Sequence, residues 1–301
     1  MKKYFNKIIF ILTLVLLNSC QFNSLFHRTK KEENPNVNFK NLKSFSVNEN
    51  YFTVAHDTIK KTLDIFKDTI KINNTYEIKP IDFISYSGND LSALILNPKN
   101  NIREDLIFLH FHGNASNLLA SHHSLISQLV KKGFQVLTFD YSGYGFSQGK
   151  ATRRNALIDA YSALDFIKNS QELKNKKVII FGQSYGGYLA YVVGSNRQND
   201  IFGLIIEGAF YSHRKEAVHF AGFPANIVYD GIRAEKEIKK NTKPILIIHS
   251  NQDAIVPIKF AKKVFDTANE PKYFMEIDKP HLNGLLYYSE NIKMKINEIF
   301  R

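Results

Sequence analysis

The stretch that decides the fold is Lys177–Gly187, with the sequence KVIIFGQSYGG. Its first part, Val178–Phe181, is a short apolar run rich in β-branched residues, which is typical of a parallel strand buried on both faces. The run leads into Gly182–Gly186, which matches the G-x-S-x-G nucleophile elbow. A serine hydroxyl is a weak nucleophile unless a base can reach it, so it must project from a tight turn. Larger residues in place of the two glycines would collide with the neighbouring strand and helix. The pattern therefore predicts a strand, a sharp turn with Ser184 at its apex, and a helix.

The composition is that of a globular protein with a strong positive charge. The chain has 301 residues, a hydrophobic content of 44% and a formal net charge of +12. This length suits one large α/β domain with an N-terminal extension. The lysines are scattered, without a Lys/Arg stripe or a nucleic-acid-binding motif, so we expect no nucleic-acid partner.

The N-terminus has the features of an export signal. Lysines precede the mostly apolar run Ile8–Leu17, which is too short to span a bilayer comfortably. The following residues complete a resemblance to the bacterial lipoprotein box, Leu17–Cys20, although Asn18 departs from the usual Ala, Ser, Thr or Val. Cys20 is the only cysteine of the chain, so it cannot form an internal disulfide.

We therefore expect residues 1–19 to be a signal peptide and Cys20 to carry a lipid that attaches the protein to a membrane of the cell envelope. In a Gram-negative host this would be the periplasmic or outer-membrane side. A plain signal peptide or anchor is the alternative.

The rest of the chain divides by its apolar pattern. Residues 20–35 are polar and aperiodic, which predicts a tether, and residues 36–79 form an extension with an amphipathic helix at His56–Ile70. In residues 80–301 strands alternate with helices. This predicts one domain with a mostly parallel sheet, helices on both faces and an antiparallel hairpin at one edge.

The predicted strands are Ile81–Tyr86, Leu91–Leu96, Leu106–His112, Gln135–Tyr141, Val178–Phe181, Gly203–Glu207, Pro244–His249 and Lys272–Ile277. The predicted helices are Leu118–Lys132, Asn155–Lys168, Tyr185–Ser195, Ile258–Ala268 and a last one after Leu285.

The partners of Ser184 should follow later strands, because open α/β sheets carry their chemistry beyond the carboxyl ends of their strands. In the chain order serine, acid, histidine, Asp253 follows a predicted strand, and His281 is the only histidine beyond it. Glu207, at the end of the strand after the elbow, is the rival acid. We expect His281 to take and return the serine proton while Asp253 orients the imidazole.

An acyl-transfer site also needs two backbone N–H groups that face the developing negative charge. One should belong to Tyr185, the residue after the serine. The other should belong to Asn114, in the turn that follows the strand Leu106–His112.

Two other chemistries fit the sequence poorly. Histidines that could suggest a metal site occur in two close pairs, His110/His112 and His122/His123, but no carboxylate or cysteine shares their spacing. Residues 140–150 are rich in glycine, yet Tyr144 stands where a phosphate-binding G-x-x-x-x-G-K loop needs its first glycine. The dinucleotide pattern G-x-G-x-x-G fails as well, because Gly149 comes one residue late. We therefore expect neither a metal nor a cofactor.

Taken together, residues 80–301 resemble the α/β-hydrolase superfamily, in particular the small serine hydrolases of its ABHD-type and dienelactone-hydrolase-like group. The matching segments are His112–Ala115, Asp140–Ser147, the elbow, Leu204–Phe210 and His249–Pro257. The resemblance implies the α/β-hydrolase fold and, as substrates, carboxylic esters, lipid esters or S-acyl proteins. That group often has a glutamate at the position of Glu207 while the acid follows the next strand, which favours Asp253. The chain departs from the group at Ser142, where Arg is common, and at Leu282-Asn283, where Asn-Asp is frequent.

The segment Phe210–Lys243 is predicted to be a short cap over the site. Its apolar side chains would line an acyl pocket, although a plain packing helix would carry the same residues. These side chains are Phe210, Tyr211, Phe220, Phe223, Pro224, Ile227, Val228 and Tyr229.

The features together favour a membrane-tethered serine esterase or thioesterase that acts on small or lipid acyl esters. A serine peptidase is one alternative, because Gly182–Gly187 also resembles the prolyl-oligopeptidase elbow, although this sequence has no counterpart of that family's propeller. A catalytically idle lipoprotein scaffold is another. The presence of serine, acid and histidine in the expected order argues against it.

Overall fold

The computed structural model describes residues 45–46, 76–121 and 125–301. The predicted signal peptide, Cys20, the tether and the helix His56–Ile70 lie outside these residues. No helix in the described part of the chain is long and apolar enough to cross a membrane.

The described strands form one mixed sheet in the order β1-β2-β3-β5-β4-β6-β7-β8-β9. Strands β4 to β9 pair in parallel with one another, whereas β1, β2 and β3 pair antiparallel with their neighbours, including β3 with β5. The strands are β1 Phe45–Ser46, β2 Tyr76–Ile84, β3 Asp90–Pro98, β4 Leu106–Phe111, β5 Val136–Phe139, β6 Lys177–Gln183, β7 Gly203–Glu207, β8 Ile245–Ser250 and β9 Lys272–Ile277. The predicted parallel sheet with an antiparallel hairpin at its edge is confirmed.

Helices cover both faces of this sheet, and each face has its own hydrophobic core. The helices are α1 Leu118–Ser121, α2 Ser127–Lys131, α3 Arg153–Asn169, α4 Tyr185–Asn196, α5 His213–Ala221, α6 Ala234–Glu237, α7 Ile258–Thr267 and α8 Gly284–Ile299. Buried residues of α3, α4 and α7 pack into one core, and those of α2 and α8 pack into the other. Along β6, Ile180 belongs to the first core and Ile179 to the second, which is why the strand is a continuous apolar run.

The sheet begins earlier than the sequence predicts. Strand β2 starts at Tyr76 rather than at Ile81, because Tyr76 and Ile78 are buried in the core on the α2 and α8 face. Strand β1, which falls in the predicted extension, pairs with β2. The sheet therefore includes residues that precede the predicted boundary at residue 80.

Within the predicted helix Leu118–Lys132 the described residues form α1 and α2, and residues 122–124 lie outside the described residues. The end of α2 agrees with the prediction, since Gly133 follows it with φ +91°.

Parallel pairing brings the carboxyl ends of strands β4 to β9 to one edge of the sheet. In the register of the sheet Phe111 of β4 lies beside Gly182 of β6, and Gln183 lies beside Glu207 of β7. The loops that follow β4, β6, β7, β8 and β9 therefore leave the sheet on the same side, which is the side of the predicted site.

Candidate active site

The elbow has the predicted form. Strand β6 ends at Gln183, α4 begins at Tyr185, and Ser184 between them has φ +52° and ψ −116°. A left-handed backbone at a residue with a side chain is strained, and the surrounding structure must hold it in place. The Ser184 N–H donates to the Glu207 carbonyl oxygen at 2.9 Å, and the Ser184 carbonyl accepts from the Tyr188 N–H at 3.1 Å. These bonds fix the serine to β7 on one side and to α4 on the other.

Close approach of the backbone explains both glycines of the elbow. A Cβ atom on Gly186 would lie 2.0 Å from the carbonyl oxygen of Phe111 in β4. A Cβ atom on Gly182 would lie 2.5 Å from the carbonyl oxygen of Gly186 and 2.7 Å from the Cβ of Ala190 in α4. The predicted collisions with strand and helix are thus confirmed.

Asp253 and His281 meet across two loops. The Nδ1 atom of His281 lies 2.6 Å from Oδ2 of Asp253, and the Asp253 side chain is 1% exposed. The other oxygen, Oδ1, accepts from the N–H groups of Ile255 at 2.9 Å and Val256 at 2.8 Å. Burial by itself would raise the pKa of Asp253, but the His281 hydrogen bond and charge lower it below its ordinary value. The acid is therefore held as a carboxylate with one oxygen aimed at the imidazole.

A second histidine supports the same loop. His249, at the end of β8, has Nε2 2.7 Å from the Val256 carbonyl oxygen and 3.5 Å from Oδ2 of Asp253. Burial lowers its pKa, so His249 is neutral and donates to the loop that carries the acid. The position of His249 just before the acid loop is a sequence signal for this supporting role, which was not predicted.

Glu207 occupies the rival position but faces other partners. Its Oε1 accepts from the Gly284 N–H at 2.6 Å, and its Oε2 accepts from Nε2 of Gln183 at 2.7 Å. Burial raises the pKa of Glu207. Both oxygens are thus engaged with donors, and the bond to Gly284 ties the start of α8, three residues after His281, to the end of β7. The geometry favours Asp253 as the acid and gives Glu207 a positioning role.

A cavity of about 560 Å³ opens beside the elbow, and Ser184 and His281 both line it. The predicted oxyanion residues Asn114 and Tyr185 line it as well. The remaining lining residues are Gly113, Ala115, Ser116, Phe210, Glu216, Phe220, Ile255 and Leu282. The structure therefore brings all five predicted catalytic and oxyanion residues to one place, since Asp253 is bonded to His281.

The turn after β4 lies against the elbow. A Cβ atom on Gly113 would be 3.5 Å from the Cβ of Ser184, and Oδ1 of Asn114 accepts from the Tyr144 hydroxyl at 2.9 Å. Tyr185 opens α4, where helical N–H groups point out of the N-terminus. These placements suit two oxyanion donors, and that role remains a prediction.

The cap differs from its prediction. Helix α5 and the turn Phe223–Ile227 build it, but only Phe210 and Phe220 of the eight predicted apolar residues line the cavity. Phe223, Ile227 and Tyr229 are exposed, at 81%, 53% and 76%. The reason is local: α5 has little more than two turns, so only one narrow face of the cap can reach the site.

The histidines weighed for a metal site have structural roles where they are described. His110 contacts Thr138 Oγ1 at 2.9 Å and Gln183 Oε1 at 3.1 Å, and His112 contacts the Gly113 carbonyl oxygen at 2.7 Å. Burial lowers the pKa of His110 to about 3 and that of His112 to about 4, so both are neutral. The pair His122/His123 lies outside the described residues.

Glu216 of the cavity wall has a carboxyl group, and the sequence pattern alone assigned it no role. It lies on the inward face of α5 between the apolar residues of the cap, and it is 2% exposed. Its position one helical turn before Phe220 could have identified it, because both side chains then lie on one helix face.

The chain is similar to one protein family, to curated proteins and to solved structures. The family model described as "Serine aminopeptidase, S33" matches residues 103–229. The chain is 27% identical over 222 residues to the uncharacterized protein YfhR of Escherichia coli (strain K12), which covers 72% of this chain and 78% of that protein. It is 30% identical over 188 residues to lysophosphatidylserine lipase ABHD12 of Danio rerio, and this alignment covers 55% of this chain and 48% of that protein. The solved structure of the Pyrococcus furiosus esterase Pf2001 superposes with a TM-score of 0.62 at 22% identity, over 74% of this chain and 91% of that one.

Proposed function

We propose that this chain, which has the α/β-hydrolase fold, is a serine hydrolase of carboxylic esters or thioesters. Ser184 is the nucleophile, His281 the general base and acid, and Asp253 the residue that orients the imidazole. The names of two relatives, a lysophosphatidylserine lipase and an esterase, support ester substrates.

One observation carries the proposal. The imidazole of His281 is bonded through Nδ1 to a buried carboxylate at 2.6 Å, and it lines the same cavity as the strained Ser184. With Nδ1 committed as donor to Asp253, the other nitrogen, Nε2, is left with its lone pair and can accept a proton. This is the arrangement that an activated serine requires.

The proposed reaction has two balanced halves. In the first, Ser184 Oγ bonds to the acyl carbon while its proton passes to His281 Nε2, then the ester C–O bond breaks and the proton leaves with the alcohol. In the second, water attacks the acyl-enzyme, His281 takes a proton from the water, and Ser184 regains that proton as the carboxylic acid departs. The N–H groups of Tyr185 and Asn114 are the proposed donors to the oxyanion in both halves.

A peptidase is the second candidate, and the description of the matching family model favours it. Both candidates use the same triad, so substrate rather than site distinguishes them. We propose an ester because one relative is named a lipase and one structural neighbour an esterase. A thioester is included because the same acyl-enzyme chemistry cleaves it.

The experiment is a panel of acyl esters, acyl thioesters and aminoacyl amides, assayed with purified protein and with Ser184→Ala. The proposal expects turnover of esters or thioesters that is lost in Ser184→Ala. Turnover of amides alone would favour the peptidase. Turnover that survives Ser184→Ala would overturn the assignment of the nucleophile.

We also propose that lipid on Cys20 tethers the enzyme to an envelope membrane. The support is the sequence alone: a basic start, an apolar run and the only cysteine at the end of a lipoprotein-like box. Stable attachment takes two or more acyl chains, which such a modified cysteine would supply.

A further inference from the structure

Glu216 puts a carboxyl group into the wall of the cavity. It lies on the inward face of α5, which also buries His213 and Ala217, and the Ser212 side chain caps this helix. An amphipathic helix normally places apolar residues on such a face. Glu216 is 2% exposed, so a buried carboxyl group occupies a position where an apolar side chain is normally found.

One oxygen of this carboxyl group has no hydrogen-bond partner in the part of the chain that the structure describes. Among the described residues none offers a hydrogen bond to Oε2 of Glu216, and that atom is buried. Burial and, to a lesser extent, the negative charge of Asp253 raise the pKa of Glu216 to about 8. The group is thus mostly a neutral carboxylic acid near pH 7. An unmatched buried polar group costs free energy, and a substrate that offers a partner through the part of Glu216 that lines the cavity would recover some of it.

The apolar side chains around the Glu216 carboxyl group would make it selective for the ligand group that it contacts. Beside Glu216 the cavity is lined by the apolar side chains of Phe210, Phe220, Ile255 and Leu282 and, outside the catalytic and oxyanion residues, by one further polar side chain, Ser116. In an apolar pocket one polar group fixes the position and the chemical identity of the ligand group it meets.

Three kinds of ligand group differ in how well they would bind to a neutral carboxyl group. An anionic group would be repelled by the negative charge of Asp253, which already disfavours negative charge at Glu216. An ammonium group would require Glu216 to release its proton, and both charges would lose water. A hydroxyl group both donates and accepts, so it matches the O–H and the C=O of a carboxylic acid without any charge.

We propose that Glu216 is a specificity-determining residue that hydrogen bonds a hydroxyl group on the acyl chain, so that the site prefers esters of short hydroxy acids to unsubstituted esters. This rests on the proposed serine hydrolase function. It adds the substrate class and the residue that selects it. A site built to bond a hydroxyl typically disfavours the analogue without it, because its own polar group is then left unpaired. The expected preference is about 5- to 100-fold in kcat/KM.

The test compares ethyl butyrate with ethyl 2-hydroxybutyrate, ethyl 3-hydroxybutyrate and ethyl 3-aminobutyrate, with acid release followed by titration. The wild type should prefer one hydroxy ester at least about 5-fold over butyrate. Glu216→Gln should keep that preference, because an amide is neutral and also donates and accepts. Glu216→Met should remove the preference and raise kcat/KM for ethyl butyrate. Lys215→Met, on the exposed side of the same helix, is the matched control and should behave as wild type.

Three results would overturn the inference. These are equal use of butyrate and both hydroxy esters by the wild type, a hydroxy preference that survives Glu216→Met, and a preference for the ammonium ester that Glu216→Gln abolishes. The last would assign a cationic substrate group instead. Circular dichroism of Glu216→Met checks its fold, and Glu216→Gln provides the comparison if the apolar variant is unfolded.

A binding experiment separates this inference from the proposed function. Calorimetry with Ser184→Ala should give tighter binding of 3- or 2-hydroxybutyramide than of butyramide, and the added change Glu216→Met should remove the difference. Ester hydrolysis without any hydroxyl preference would overturn the inference and leave the hydrolase intact. Hydroxyl-dependent binding by a protein that hydrolyses no ester would overturn the hydrolase and leave the role of Glu216 intact.

Discussion

Replacing Asp253 with asparagine should disable His281 while leaving every side chain of the site nearly the same size. The carboxylate accepts three hydrogen bonds: Oδ1 accepts from the N–H groups of Ile255 and Val256, and Oδ2 accepts from Nδ1 of His281 at 2.6 Å. An amide has only one oxygen, so the variant must choose which of these donors to satisfy.

The two backbone N–H groups should decide the orientation of the amide. If its NH₂ group faced Ile255 and Val256, two N–H donors would lose their acceptor, at about 1–3 kcal/mol each. The amide oxygen should therefore take the Oδ1 position, and the NH₂ group should face Nδ1 of His281. That nitrogen must then accept, which leaves the proton on Nε2, the nitrogen that has to receive the proton of Ser184.

The expected loss is about 10⁴-fold in kcat, or about 5.5 kcal/mol of transition-state stabilisation, as for the equivalent change in other serine triads. The assay is hydrolysis of 4-nitrophenyl butyrate, with urea unfolding to check stability. Glu207→Gln is the matched control. There the amide places one NH₂ against a donor, either Gln183 or Gly284, which should cost about 1–3 kcal/mol of stability and less than about 100-fold in rate. The reverse ranking of the two variants would refute the assignment of Asp253 and make Glu207 the acid.

Three further changes test separate parts of the account. Gly186→Ala should lower the free energy of unfolding in urea by about 3 kcal/mol, because its Cβ would lie 2.0 Å from the Phe111 carbonyl oxygen. Gly88→Ala is the control: its Cβ would meet no atom within 4 Å, so it should cost only about 1 kcal/mol for its positive φ. Equal losses of stability would contradict the packing argument. The pKa of Glu216 is raised in the folded protein from 4.5 to about 8, so the wild type loses folding stability as the pH rises between these values. Glu216→Gln does not titrate there, so its free energy of unfolding relative to the wild type should increase between pH 5 and pH 8 by at most about 1.4 kcal/mol per pH unit. A stability difference that does not change with pH would refute the raised pKa. Cys20→Ala should abolish metabolic labelling with a fatty-acid analogue and leave unprocessed precursor, whereas unlabelled wild type would contradict lipidation.

Local patterns in the sequence predicted the centre of the fold because local sterics determine it. The run Val178–Phe181 is apolar at every position since β6 faces a core on each side, and the glycines of the elbow are required by contacts with β4 and α4. Chain order then placed Asp253 and His281 after β8 and β9, where parallel strands bring their loops together.

Features that depend on distant partners could not be predicted in the same way. The early start of β2 is an exception, because a local signal was present: Tyr76 and Ile78 alternate with Glu77 and Lys79 in the period of a half-buried strand. The role of Glu207 depends on a hydrogen bond to Gly284, 77 residues away. The face that the cap turns to the cavity depends on how it docks on the body, for example through the Tyr188 hydroxyl and the Ile232 carbonyl oxygen at 2.6 Å. Periodicity within two helical turns does not determine that face, so Glu216 was missed and the exposure of Phe223 was not foreseen.

The most direct test of the central claim is the site of covalent modification by a fluorophosphonate, mapped by peptide mass spectrometry on the full chain. The account predicts one adduct on Ser184, loss of enzyme activity in step with its formation, no adduct in Ser184→Ala and much slower labelling in Asp253→Asn. An enzyme that hydrolyses esters while Ser184 stays unmodified, or that is inactivated by an adduct on another residue, would contradict it.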